Sequence, residues 1–110
     1  MQFLVIGLDG TDSEAPARRA AARPAHIARG DELLHAGALW YGAAIVDENG
    51  RMKGSMYFVD FPSETDMRAW LADEPYVQGD VWRTIEVHTC SVRDPWQFSR
   101  PQAFFDERSP

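Results

Sequence analysis

A chain of 110 residues, 45% of them hydrophobic, can fold as one small domain with a real core and is too short for two. Asp and Glu number 17 against 11 Lys and Arg, for a formal net charge of −6. That balance argues against nucleic acid as a partner, because binding a phosphate backbone depends on neutralising charge with Lys and Arg.

The run QFLVIGL, residues 2–8, is apolar and partly β-branched and ends at the turn signal Leu8-Asp9-Gly10, so it predicts a first strand. It is too short to span a bilayer and carries no basic leader, so the expectation is a cytoplasmic protein with no membrane partner. From Ser13 to about Ala36 the composition turns to Ala, Arg, Glu and Leu, with Ile27, Leu33 and Leu34 near helical spacing. Pro24 interrupts that stretch. Since proline belongs in a first turn rather than a helix interior, a short helix to about Ala22 and a main helix from Pro24 are expected, with Gly37 as the stop.

Residues 38–46, ALWYGAAIV, predict a second strand, and DENG at 47–50 a hairpin turn in which Asn49-Gly50 supplies positive φ angles. A third strand follows from about Gly54 to Phe61, with Ser55, Tyr57 and Val59 on one face and Met56, Phe58 and Asp60 on the other. Ser63 reads as an N-cap with Asp66 as a weaker capping box, and Met67, Trp70 and Leu71 fall at helical spacing. That second helix breaks at Asp73-Glu74-Pro75, and a last strand runs from about Trp82 to Val92. Cys90 lies in it without a thiol partner and reads as an inert, packed residue.

The order β, α, β, β, α, β predicts an α+β, ferredoxin-like domain over residues 1–92, an antiparallel sheet with both helices on one face. The other sheet face is also apolar and must be covered. A homodimer packed sheet to sheet would cover it, and pairing into a higher oligomer is left open. The tail, 93–110, carries Trp96, Phe98, Phe104 and Phe105 among prolines and charges, so it is expected to pack on the partner subunit rather than hang free.

Three segments in order, Arg23-Pro24-Ala25-His26-Ile27-Ala28-Arg29, Gly54-Ser55 and Glu74-Pro75-Tyr76-Val77, resemble the YCII-related, or YciI-like, family of dimeric α/β-barrel proteins over about residues 2–92. The resemblance implies a pocket in each subunit where the helix histidine, here His26, faces an acid proposed as its catalytic partner. Aligned on Pro75 and Tyr76, that acid is Glu74 where the family more often has aspartate; Asp73 is the alternative. An added methylene moves a carboxylate by about one C–C bond, roughly 1.5 Å, enough to retune catalysis. Gly42-Ala43 departs from the Gly-Pro common in relatives. Some of those relatives are similar to enzymes that remove chloride from chlorinated hydroxyhydroquinones.

A carboxylate beside an imidazole fixes its tautomer and stabilises its charged form, which suits proton transfer near neutral pH. The plainer alternative is that His26 only packs the helix start. Ser55 could orient a ligand or merely pack; Arg19 and Arg23, about two turns and one turn before His26, could grip an anionic group or lie solvated. Tyr76 and Trp40 read as core or pocket wall. His35 suits the end of the main helix, and His88 lies in the last strand. No His or Cys spacing suggests a metal site, and no glycine-rich phosphate loop is present, so neither metal nor cofactor is expected. Two functions follow: a cofactor-free lyase or isomerase acting on a small polar or aromatic metabolite through His26 and Glu74, or a non-catalytic dimer that binds a small molecule or assembles with a partner.

Overall fold

The computed structural model describes residues 1–107, apart from the Phe104 side chain. Strand β1 (Gln2–Asp9) leads to helix α1 (Ala15–Ala36), strands β2 (Leu39–Val46) and β3 (Met52–Asp60), helix α2 (Glu64–Ala72), a single-turn helix α3 (Pro75–Gln78) and strand β4 (Trp82–Cys90). The four strands form one sheet in the order β2-β3-β1-β4, with every neighbouring pair antiparallel. This is the ferredoxin-like α+β arrangement expected from the element order.

Alternation builds the inner face. Phe3 and Val5 of β1 and Ser55, Tyr57 and Val59 of β3 are buried, and the α2 residues Met67, Trp70 and Leu71 close over them with Leu39, Tyr76, Val81 and Trp82. Gly7 matters because a Cβ there would overlap the Trp82 ring, so only glycine lets Trp82 lie across β1. The outer face carries Leu4 and Ile6, paired with Phe58 and Met56 on one side and with His88 and Glu86 on the other, and extends to Tyr41 and Ala43 of β2.

Helix α1 differs from the two-piece expectation: it runs unbroken through Pro24. Pro24 lacks the N–H that would bond the Ala20 carbonyl, but both residues are exposed and water can take that carbonyl. The buried positions Ala15, Arg19 and His26 form its inward stripe. Ile27 and Leu34, apolar positions near helical spacing, are 44% and 50% exposed. The helix stops at Gly37, whose φ of 79° returns the chain and whose N–H reaches the last-turn carbonyls.

The hairpin also differs. Only Gly50 takes a positive φ, 77°, and the reversal is closed by the Asp47 carboxylate, which accepts from the amides of Asn49 and Arg51. Those two bonds hold the Asp47 pKa below its ordinary value. Ser63 caps α2 as expected, its Oγ accepting from the Asp66 amide at 3.1 Å.

After β4 the chain crosses to its own β2: the Val92 amide donates to Gln2 Oε1 at 2.7 Å, and Trp96 in a 3-10 turn (Pro95–Gln97) meets Trp40 edge-on and stacks on Tyr41. A short helix, α4 (Gln102–Asp106), follows. The tail's remaining residues, 108–110, and the Phe104 side chain named among its aromatics lie outside the described residues. Cys90 is half-buried, and burial raises its thiol pKa. No described helix is long and apolar enough to cross a membrane.

Candidate active site

A cavity of about 270 Å³ opens between α1 and the inner sheet face, lined among others by Arg19, Arg23, His26, Ser55, Tyr57 and Tyr76. Helical pitch explains the first three. Arg19 and His26 stand seven positions apart, close to two turns, so the unbroken α1 presents both on one stripe, with Arg23 at the exposed rim. Strand period explains Ser55 and Tyr57, which lie two apart on β3 and so point the same way.

Glu74 comes from the join between α2 and α3. It is the N-cap of α3, its Oε1 accepting from the Tyr76 amide at 3.0 Å, and it is 2% exposed. The same oxygen lies 2.5 Å from Nδ1 of His26. Asp73, the alternative acid, is exposed as the C-cap of α2 and does not line the cavity.

On the other side of the imidazole, Nε2 lies 2.5 Å from the Tyr57 hydroxyl. The Tyr76 ring stacks on one face of His26, with centroids 3.7 Å apart and planes 9° from parallel. His26 is therefore held by its two nitrogens and a ring face. Burial raises the Tyr57 pKa far above the ordinary tyrosine range, and the Glu74 charge adds to the effect. Burial raises the Tyr76 hydroxyl as well, against the pull of Arg19.

Arg19 forms a second polar cluster. Its Nε donates to Asp9 Oδ2 at 2.7 Å, one terminal nitrogen to the Gly54 carbonyl and Ser55 Oγ, both at 2.9 Å, and the other to the Tyr76 hydroxyl at 3.2 Å. Arg19, expected either to grip an anionic group or to lie solvated, is buried with its charge met by Asp9 and its fork turned to Ser55, Tyr76 and the Gly54 carbonyl. Ser55 Oγ also accepts from Trp82 Nε1 at 3.4 Å.

The geometry thus gathers His26, Glu74, Ser55, Arg19 and Tyr76, with Arg23 at the mouth. Tyr57 and Asp9 are site residues that the sequence did not single out. Both carried a signal: Tyr57 shares the Ser55 face of a strand, and Asp9 ends the strand that α1 packs against. His35 and His88 are exposed and stand apart from the cavity. Among the described residues no three His, Cys, Asp or Glu side chains converge as a metal site would require.

A family model for the YCII-related domain matches residues 1–91. The chain belongs to the YCII-related family. Among solved structures it is similar to 5-chloro-2-hydroxyhydroquinone dehydrochlorinase from Burkholderia phenoliruptrix AC1100, in complex with 2,5-dihydroxybenzoquinone. That match has a TM-score of 0.71 and 17% identity over 83% of this chain and 94% of the other. A dimeric ferredoxin-like protein of unknown function from Jannaschia sp. CCS1 matches with a TM-score of 0.51 and 12% identity, covering 83% of this chain and 98% of the other. No curated protein gives a significant match. At these identities the structural likeness speaks to the fold.

Proposed function

We propose that this YCII-related protein is a cofactor-independent enzyme of lyase or isomerase type, whose cavity takes one small polar or aromatic metabolite. The buried contact between Glu74 and His26, whose ring lines the cavity while Glu74 lies behind it, carries this reading. An imidazole backed by a carboxylate takes up a proton and is stabilised when charged, and such a pair suffices for elimination or tautomerisation. The cavity lies near the ~300 Å³ lower bound of ligand pockets, which suits a single substituted ring. Arg23 at the rim would meet an anionic oxygen, and Ser55, held by Arg19 and Trp82, would orient the ligand. The dehydrochlorinase and its bound hydroxyquinone suggest hydroxylated and chlorinated aromatics as the first compounds to try.

The test is turnover of such compounds, beginning with 5-chloro-2-hydroxyhydroquinone, by the full chain and by His26→Ala. Loss of the base is expected to lower the rate about a hundredfold to ten-thousandfold. A variant that keeps full turnover would remove the proposal. The competing reading, a non-catalytic binding protein, draws on the fact that protein groups occupy both nitrogens of His26. Binding of 2,5-dihydroxybenzoquinone without turnover of any related compound would favour it.

The same proposal includes a homodimer, formed through the outer sheet face with Leu4, Ile6, Met56, Phe58 and Tyr41 at its centre. Tyr41 is 48% exposed and Trp96 65%, and the tail, Phe98 and Phe105 included, would then reach the partner subunit. Sedimentation at micromolar concentration is expected to give a dimer, or a multiple of it, and a monomer would count against it.

A further inference from the structure

The position of Tyr57 bears on how a proton enters and leaves this site, and the argument rests on the acid–base reading above. Neither nitrogen of His26 is open to a ligand. Nδ1 faces Glu74 and Nε2 faces the Tyr57 hydroxyl, both at 2.5 Å, while Tyr76 lies flat on one face of the ring. Both rings line the cavity, and the Tyr57 hydroxyl stands at Nε2, the nitrogen turned away from Glu74.

The protons can be assigned from the partners. A carboxylate only accepts, so Nδ1 carries the hydrogen that points to Glu74. The Glu74 oxygen also accepts the Tyr76 amide. A tyrosine hydroxyl buried beside that negative charge keeps its proton. It therefore donates to Nε2, and the chain of donors runs from Tyr57 through His26 to Glu74.

We infer that Tyr57 is the catalytic residue that exchanges a proton with the ligand, and that His26 and Glu74 act behind it as an internal base and its counter-charge. In the forward step an acidic X–H bond of the ligand breaks and its proton goes to the Tyr57 oxygen. In the same motion the Tyr57 proton passes to His26 Nε2, giving an imidazolium paired with the Glu74 carboxylate. The ligand keeps the electron pair, which shifts along its π system to expel an anionic leaving group or to move a double bond. Reversal of the relay returns the proton to another atom of the ligand in isomerisation, or to the departing anion or solvent in elimination. No free tyrosinate forms, in keeping with the surroundings of this hydroxyl.

The fold holds the ring where the relay needs it. Tyr57 lies two residues beyond Ser55 on the same strand face, and the facing residue on β2 is Gly42, where a Cβ would come within 2.5 Å of the Tyr57 ring. Glycine there allows the ring to lie against the β2 backbone.

The test compares Tyr57→Phe and His26→Ala in the full chain, with 5-chloro-2-hydroxyhydroquinone as turnover probe and 2,5-dihydroxybenzoquinone as binding probe. Tyr57→Phe is expected to lower kcat about a hundredfold to ten-thousandfold, with the quinone bound within about tenfold of the parent. The double variant should be no slower than the worse single one, because groups acting as a unit are not additive. If Tyr57→Phe keeps the rate while His26→Ala loses it, His26 acts directly: the relay falls and the acid–base reading stands. If both variants keep the rate, that reading falls too. Should the probe not turn over, nitrogen NMR of His26 decides. A proton on Nδ1, with an Nε2 signal that moves in Tyr57→Phe, supports the relay; a proton on Nε2 at neutral pH, or an unmoved signal, overturns it.

Discussion

Two polar clusters share one cavity and differ in kind. Around Arg19 a permanent cation is met by Asp9 and ringed by neutral acceptors. Around His26 a carboxylate, an imidazole and a phenol stand in line. On the proposed reading one cluster is a fixed strut and the other a movable charge. If that reading holds, burial of an ionisable side chain is not by itself a sign of chemistry; what matters is which partners surround it.

The contrast breaks if the strut can be cut cheaply. Asp9→Ala would leave Arg19, 8% exposed, without its counter-charge. Breaking a buried pair from one side costs about 3–5 kcal/mol, so a large drop in the denaturation midpoint is expected, read by urea titration. A drop no larger than a surface substitution gives would mean that the Asp9 pairing carries little.

Glu74→Gln probes the movable cluster and should invert the pattern. The amide oxygen still caps the Tyr76 N–H, so stability should fall by about 1 kcal/mol, the worth of one hydrogen bond. Turnover should fall by the factor of a hundred or more typical of a lost acid–base partner. Equal effects on stability and rate would erase the distinction.

A third outcome concerns pH. The Tyr57 pKa is raised in the folded chain, so above the unfolded tyrosine value of about 10 the unfolded state releases a proton that the folded state retains. Stability from this group is thus fully present below that pH and declines above it. The decline is about 1.4 kcal/mol per pH unit until the folded group ionises. Denaturation between pH 9 and 11 should show a steeper fall in the parent than in Tyr57→Phe.

Glu74→Asp is the mildest change. Retracting the carboxylate by about 1.5 Å should lengthen its contact with His26 and slow turnover less than Glu74→Gln, because the charge survives. A rate equal to that of the glutamine variant would show that position, not charge, governs the pair.

Much of the fold was legible because alternation and turn chemistry agree with the outcome: Phe3 and Val5, Tyr57 and Val59, the Ser63 cap and the Gly37 stop all behave as their patterns suggest. Pro24 misled because its local preference for a first turn is outweighed by continuous packing of Ala15, Arg19 and His26. The α3 turn escaped notice because its cap is Glu74, a residue type weakly associated with capping.

In the site, periodicity tells which way a side chain points but not which group it meets. The burial of Arg19 was not legible because Asp9, its partner across the β1–α1 turn, read only as a turn residue. Tyr57 was placed only on the Ser55 face of its strand, because nothing in the pattern shows that its hydroxyl meets His26.

Tyr76 belongs to both clusters. Its amide binds Glu74, its ring lies on His26 and its hydroxyl receives Arg19. The strut and the proposed relay are therefore mechanically joined through one side chain, and neither can drift without dragging the other. Variation among kindred sequences at the acid should then travel with compensating change at this aromatic, so that the pair is inherited as a single part.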